Sequence, residues 1–364
     1  MTTAPIFMEK KDEHFENNFD FLRFLAATFV IISHSFALTL NQTDPLGNFT
    51  GFMTMGSLGV AIFFTISGYL ILKSWDRKRE PISFFKNRIL RIFPGLTCVV
   101  LITVFVIGPL VTILSWKNYF LNTETWVYFN NIILNIQFSL PGVFVNNPYP
   151  NSVNGSLWTL PIEFCCYILV FILGLFLVYR NRYNLIIIFA IQSLIFLAFP
   201  LQLQKISPPF FPFTNAYQIV LLTLFFSAGM IFYAFKDLIK PDFKISVILF
   251  FIFMSTFLFA KVALANFMMI IFVSYLTMVI AFLPLPHLHL FGKNGDFSYG
   301  LYIYAFPIQQ TLVFCFKGLS ILSLFISSFL CTLFIAILSW NFIENPCLKL
   351  KNKAFSTLLK RGQK

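Results

Sequence analysis

Ten apolar stretches recur along the chain, at 19 to 41, 56 to 74, 90 to 114, 156 to 179, 184 to 200, 216 to 235, 244 to 260, 267 to 283, 297 to 315 and 320 to 340. A helix rises about 1.5 Å per residue, so each of them spans, or nearly spans, a hydrocarbon layer about 30 Å thick. Backbone polar groups find no water in that layer, and continuous helices are the open route across it. The pattern therefore predicts an all-α fold, a polytopic membrane helical bundle of about ten transmembrane helices. It divides the chain into an N-terminal segment (1–18), a membrane domain (19–345) and a basic tail (346–364).

Composition agrees: 58% of the 364 residues are hydrophobic, 11% are charged and 51 are Phe, a balance outside that of soluble domains. The net charge of +12 is not the footprint of a nucleic-acid partner, because Lys and Arg lie between the apolar stretches. With both termini cytoplasmic, the outer loops hold only Lys117, Lys205, Lys261 and Lys317 of the 26 basic residues. That segregation obeys the positive-inside bias and needs an even number of spans. The opening "MTTAPIFMEKKDEHFENNFD" mixes charge signs and has no cleavage site, so the first apolar run is expected to be retained. The six cysteines, five of them within apolar runs, read as small buried residues without disulfides.

Polar groups at bilayer depth carry the functional signal. Arg23 and His34 are eleven residues apart, just over three helical turns, and share one stripe of the first helix about 16 Å apart. His34 and Glu163 each lie seven residues from the expected outer boundary, roughly 10 Å deep. A carboxylate beside an imidazole would orient it as a general base. Two readings of Arg23 stay open: a functional cation, or a side chain snorkelling to the headgroups with Asp20 as partner.

Arg88 and Arg91 share a helix face at the cytoplasmic boundary, where they either anchor the helix or fork onto a phosphate-bearing ligand. Ser67 and Gly68 form a small-residue notch for a close helix or ligand. Ser156 is placed to cap the fourth span, and Pro161 to kink it beside Glu163. The outer stretch 115 to 155 ends in "PGVFVNNPYPNSVNGS", whose composition denies it regular structure. Its Trp126 and Tyr149, with Trp158 beyond, either line the headgroup zone or stack on a sugar ring. The N-x-S/T triplets at Asn41, Asn48 and Asn154 all fall on the expected outer side.

Taken in order, these segments resemble the acyltransferase-3 family of integral membrane O-acyltransferases, in its stand-alone form. The resemblance runs from residue 20 to 346: Arg23 and His34; Phe64, Ser67, Gly68 and Tyr69; Arg88 and Arg91; Ser156 to Glu163; Ser298, Tyr299, Leu301 and Tyr302; Glu344 and Pro346. Ala305 stands where many members have a histidine.

The resemblance implies transfer of an acyl group, usually acetyl, from acyl-coenzyme A to a hydroxyl of a cell-surface polysaccharide or lipid-linked sugar. It implies His34 and Glu163 as the catalytic pair, with His34 as base or transient acyl carrier. Arg23, Arg88, Arg91, Ser67 and Tyr69 fall to the donor, and Ser156, Trp158, Tyr299 and Tyr302 to the acceptor pocket. Acetyl-CoA would be a co-substrate, with no metal or tightly bound cofactor. The partners expected are the donor, the glycan acceptor and membrane lipids, in the plasma membrane (the inner membrane of a bacterium). The competing function is a transporter or flippase for a lipid-linked glycan, with the buried ionisable groups as a proton relay.

Overall fold

The computed structural model of the chain describes residues 17–40, 42–260 and 262–350. The segment before 17, Asn41, Lys261 and the tail beyond 350 lie outside the described residues. Each predicted apolar stretch coincides with a helix: α1 Phe19–Leu40, α2 Met55–Lys78, α3 Pro81–Ile102, α4 Thr159–Leu175, α5 Tyr183–Ala198, α6 Ala216–Ala234, α7 Phe243–Phe259, α8 Val262–Phe282, α9 Ser298–Cys315 and α10 Ile321–Ser339. α3 continues to Val111 and α10 to Leu350; these two with α1, α2, α6 and α8 are long and apolar enough to cross a membrane, and α4, α5 and α7 are shorter apolar helices. Among the described residues the only β pairing is an isolated bridge between Thr112 and Val143. The chain is a multi-pass integral membrane protein.

α10 shows how such a helix is built. Leu322, Ile326, Leu330 and Phe334 are exposed, while Ser328, Thr332, Ala336 and Ser339 are buried. The large apolar side chains thus face lipid and the small residues face protein. Water provides no drive to bury leucine here, so close packing and hydrogen bonding hold such helices together.

The chain divides into two compact units. The first comprises the chain up to Ala26, Leu46–Glu80 and Trp158–Asn294. Within it, α2 and α6 meet backbone to backbone through two glycines: a Cβ on Gly68 would collide with the Phe226 carbonyl, and one on Gly229 with the Thr65 carbonyl. The notch read from the sequence is thus a helix contact. At the start of α1, Asn18 Nδ2 donates to the carbonyls of Ile280 (2.7 Å) and Leu283 (3.1 Å), ending α8 where α1 begins.

The second unit comprises Ala27–Pro45, Pro81–Leu157 and the chain from Gly295. Its organiser is α9. Pro307 has no N–H, so the Ile303 carbonyl one turn earlier loses its helical partner. Asn154 Nδ2 donates to that carbonyl at 2.9 Å. Gln310 Nε2 donates to the carbonyls of Tyr149 (2.8 Å) and Ser152 (2.7 Å), and Asn147 Nδ2 donates to Gln310 Oε1 at 2.7 Å. The stretch from 145 to 157 is irregular, as its composition predicts, yet side-chain amides pin it to a helix and Val153 and Leu157 are fully buried.

Some expectations need correction. Ser156 does not cap α4: the helix starts after Trp158, and Ser156 lies in the preceding turn. Pro161 then falls in the first turn, where its missing N–H has no helical carbonyl to serve, so it ends up as a helix starter and not a kink. The outer stretch contains short helices at Trp116–Leu121 and Thr123–Val127 before it becomes irregular. All six cysteines are free, but only Cys166 is buried; Cys165, Cys315 and Cys331 are exposed, since a lipid-facing surface tolerates a weakly polar thiol.

Two outcomes follow from the packing. Gly68→Leu, which must push α2 off α6, should cost at least about 1–3 kcal/mol and lower the melting temperature in detergent, whereas Ser74→Leu, outside the contact, should not. Asn154→Ala orphans the Ile303 carbonyl and should cost about 1–3 kcal/mol, read as a lower melting temperature and faster proteolysis of the 145–157 segment.

Candidate active site

The second unit carries His34. The imidazole sits edge-on to Phe306, ring centroids 5.0 Å apart. The same ring approaches Tyr149 at 6.3 Å, and Gly155 leaves room for it, because a Cβ there would strike the Phe306 ring. Residues one turn and one position from His34 are bolted to α9: Gln309 Nε2 donates to the Ile31 carbonyl at 3.0 Å and to Ser35 Oγ at 2.9 Å, and Ser35 Oγ donates to Ile31 at 2.9 Å. The helix bearing the imidazole is thus fastened to α9 next to His34. Its Nδ1 is buried and has no hydrogen-bond partner among the described residues. An unengaged ring nitrogen held in a rigid frame is what a proton-transfer group requires.

The same unit gathers three sequence motifs at the other end of α3 and α9. Arg91 forms an ion pair of 2.5 Å with Asp296 and lies over the rings of Tyr299 (5.8 Å) and Trp340 (6.0 Å). Asp296 also accepts from the Ser298 backbone N–H at 3.1 Å and from its hydroxyl, and Tyr299 donates its hydroxyl to the Ile92 carbonyl at 2.7 Å. Glu344 accepts from Ser339 Oγ at 2.9 Å, and Tyr304 donates to that same hydroxyl at 3.3 Å. Arg88 packs its guanidinium over Phe84 at 5.1 Å. Tyr302 is buried, and Ser156, also buried, has an Oγ without a partner among the described residues.

The first unit holds the remaining candidates. Glu163 Oε1 accepts from Ser67 Oγ at 2.7 Å and from Tyr167 at 2.6 Å, so the small-residue element of α2 and the carboxylate of α4 meet directly. Hydroxyl donation of this kind holds a carboxylate within an apolar bundle. Tyr69 is buried among Phe19, Tyr233 and Phe282, at centroid distances of 5.5, 5.4 and 5.6 Å. Its neighbour Tyr233 donates to Asp76 at 3.0 Å. Arg23 pairs with Asp20 at 2.9 Å, the partner open to it from the sequence. Trp158 immediately precedes α4 and lines a cavity.

Several residues in these networks carry no mark in the sequence patterns. Gln309, Asn147, Asp296 and Tyr167 each complete a hydrogen bond to a motif or its neighbours. The doublet Gln309–Gln310 just after Pro307 is a usable signal: two amides in an apolar run need partners, and a proline leaves an acceptor open nearby. Asn154 stands out in the sequence only as part of a glycosylation triplet, although its amide repairs α9.

Comparison with known proteins places these features in a family. The acyltransferase-3 family, described as an acyltransferase domain, matches residues 16–340. An O-acetyl transferase of Shigella phage Sf6 is 32% identical over 346 residues, which cover 92% of this chain and 97% of the phage protein. Nodulation protein 10 of Rhizobium leguminosarum bv. viciae is 38% identical over 160 residues, 42% of each chain. No solved structure matches. The match takes in His34, the arginine pair and nearly the whole helical bundle, and the chain belongs to the acyltransferase-3 family of membrane O-acyltransferases.

Proposed function

We propose that the protein transfers an acetyl group from acetyl-CoA to a hydroxyl of a cell-surface glycan or lipid-linked sugar, with His34 in the chemistry. The observation that carries this reading is the unengaged Nδ1 of a half-buried imidazole whose helix is fastened by Gln309 at Ile31 and Ser35. The likeness to a phage O-acetyl transferase over almost its full length supports acetyl as the group moved.

In this scheme the sugar hydroxyl oxygen bonds to the acyl carbon while His34 takes the hydroxyl proton. The carbon–sulfur bond of the thioester breaks, and the proton passes to the departing coenzyme A thiolate. In the covalent variant the ring nitrogen first takes the acetyl group from sulfur and then yields it to the sugar oxygen. Glu163, which accepts from the hydroxyls of Ser67 and Tyr167, is the carboxylate that the scheme assigns to the chemistry. Arg88 and Arg91 receive the coenzyme's phosphates at the cytoplasmic boundary, and Asp296 keeps the Arg91 fork in place before the donor arrives. Arg23, on α1, is the remaining basic residue that the scheme assigns to the donor.

Purified protein in detergent should move labelled acetyl from acetyl-CoA to glycan extracted from the producing cells. His34→Ala should remove this activity, by about a hundredfold or more, at unchanged melting temperature. Arg88→Ala with Arg91→Ala should chiefly raise KM for acetyl-CoA. Full activity in the folded His34 variant would defeat the assignment, and label retained on the protein before glycan is added would select the covalent route.

A further inference from the structure

A cavity of about 370 Å³ lies within the first unit, where α2, α6 and α8 begin and Trp158 precedes α4. Its size is within the range of small-molecule sites. Trp158, Gln204, Asn215, Tyr217, Gln218 and Asn266 form a polar wall, with Phe52 and Phe225 beside it. Among the described residues no Asp, Glu, Lys, Arg or His lines it. A charged ligand among these residues would find no countercharge to offset its lost hydration, which disfavours the phosphates of a coenzyme and an acidic sugar.

The wall presents unused hydrogen-bonding capacity. Among the described residues no hydrogen bond engages the side chains of Trp158, Gln204 or Gln218. Asn266 Nδ2 donates to Tyr217 at 3.0 Å, which leaves the Asn266 carbonyl oxygen unused. Amides offer donors and acceptors together, an indole N–H only donates, and a hydroxyl does both. Combined with flat aromatic faces, they match a ring that has hydroxyls around its edge and C–H bonds on its faces.

The walls are also preformed. Thr50 Oγ1 donates to the Leu46 carbonyl at 2.8 Å and accepts from the Met53 N–H at 3.0 Å, locking the turn that carries Phe52. Asn215 Oδ1 accepts from the Gln218 N–H at 3.0 Å and fixes the start of α6. A site ordered before binding loses less affinity to its own ordering.

We propose that this cavity holds an uncharged sugar residue of the acceptor glycan, with Gln204, Gln218 and Asn266 reading its hydroxyls and Trp158 packing on its face. The proposal rests on the acyl-transfer reading above. It fits the expected topology: with the N-terminus inside, even-numbered helices start on the outer side, where a surface glycan is found.

The test compares producing cells that carry the wild-type gene, no gene, Gln204→Ala with Gln218→Ala, or Gln218→Trp, which fills the cavity. Tandem mass spectrometry of the surface glycan gives its acetyl content and the sugar that carries it. Purified variants are checked by melting temperature and by the stabilisation that acetyl-CoA produces. The expected result is gene-dependent acetyl on a glycan that contains an uncharged sugar, reduced by about tenfold or more in both variants, with donor-induced stabilisation unchanged. Should Gln218→Trp fail to fold, the alanine pair decides. Full acetylation in folded variants, or a surface glycan that contains no uncharged sugar, overturns the cavity's assignment while leaving the acyl-transfer reading intact. Acetyl content unaffected by removing the gene overturns the acyl-transfer reading itself, and the cavity's role with it.

Discussion

A polar side chain in a lipid-spanning helix has to find its partners inside the protein, and the placement of His34 follows from that constraint. Leaving an amide unpaired in hydrocarbon costs several kcal/mol, so each buried Gln or Asn acts as a fastener between elements. Gln309 fastens α9 to the turn of α1 that bears the imidazole. Gln310 and Asn147 fasten the irregular segment from 145 to 157 to the same helix, one residue further along. Pro307 adds a third point by freeing the Ile303 carbonyl, which Asn154 then takes. Within one turn of α9, the backbone around His34, the ring that abuts it and the loop beside it are all fixed.

The same constraint shapes the other polar clusters. At the Arg91 end of the second unit, the cation is neutralised by Asp296 and flanked by Tyr299 and Trp340, so its fork is held in one orientation. In the first unit, Glu163 takes two hydroxyl donors and Tyr69 is packed among aromatics. The motif residues thus serve as framework, and substitutions among them will affect folding as well as any change they make in rate. That is why tests of function here need a readout of the folded state alongside activity.

Much of the architecture is legible in the order of the residues alone. All ten apolar stretches are helices, because twenty consecutive apolar residues leave the backbone no other way to satisfy itself in lipid. The glycine notch at Gly68 and the pairing of Arg23 with Asp20 are also readable from spacing. The start of α4 is not: Ser156 and Pro161 look like a cap and a kink, and a shift of about three residues in the helix start exchanges their roles. The fasteners are hidden for a different reason. Gln309 contacts residues 274 to 278 positions away in sequence, and Asn154 reaches across 149. Periodicity reports on an element's own faces and says nothing about which distant amide will meet it.

Through its two hydrogen bonds Gln309 holds the α1 segment that bears His34. Replacing it with leucine, Gln309→Leu, keeps the volume and removes both hydrogen bonds to α1. Steady-state kinetics of the folded variant provide the direct test. The expected result is a fall in kcat of about a hundredfold with KM for acetyl-CoA unchanged, as a small displacement of a reacting group produces. A folded variant with wild-type kcat would contradict it, and the imidazole's position would then owe nothing to the network on α9.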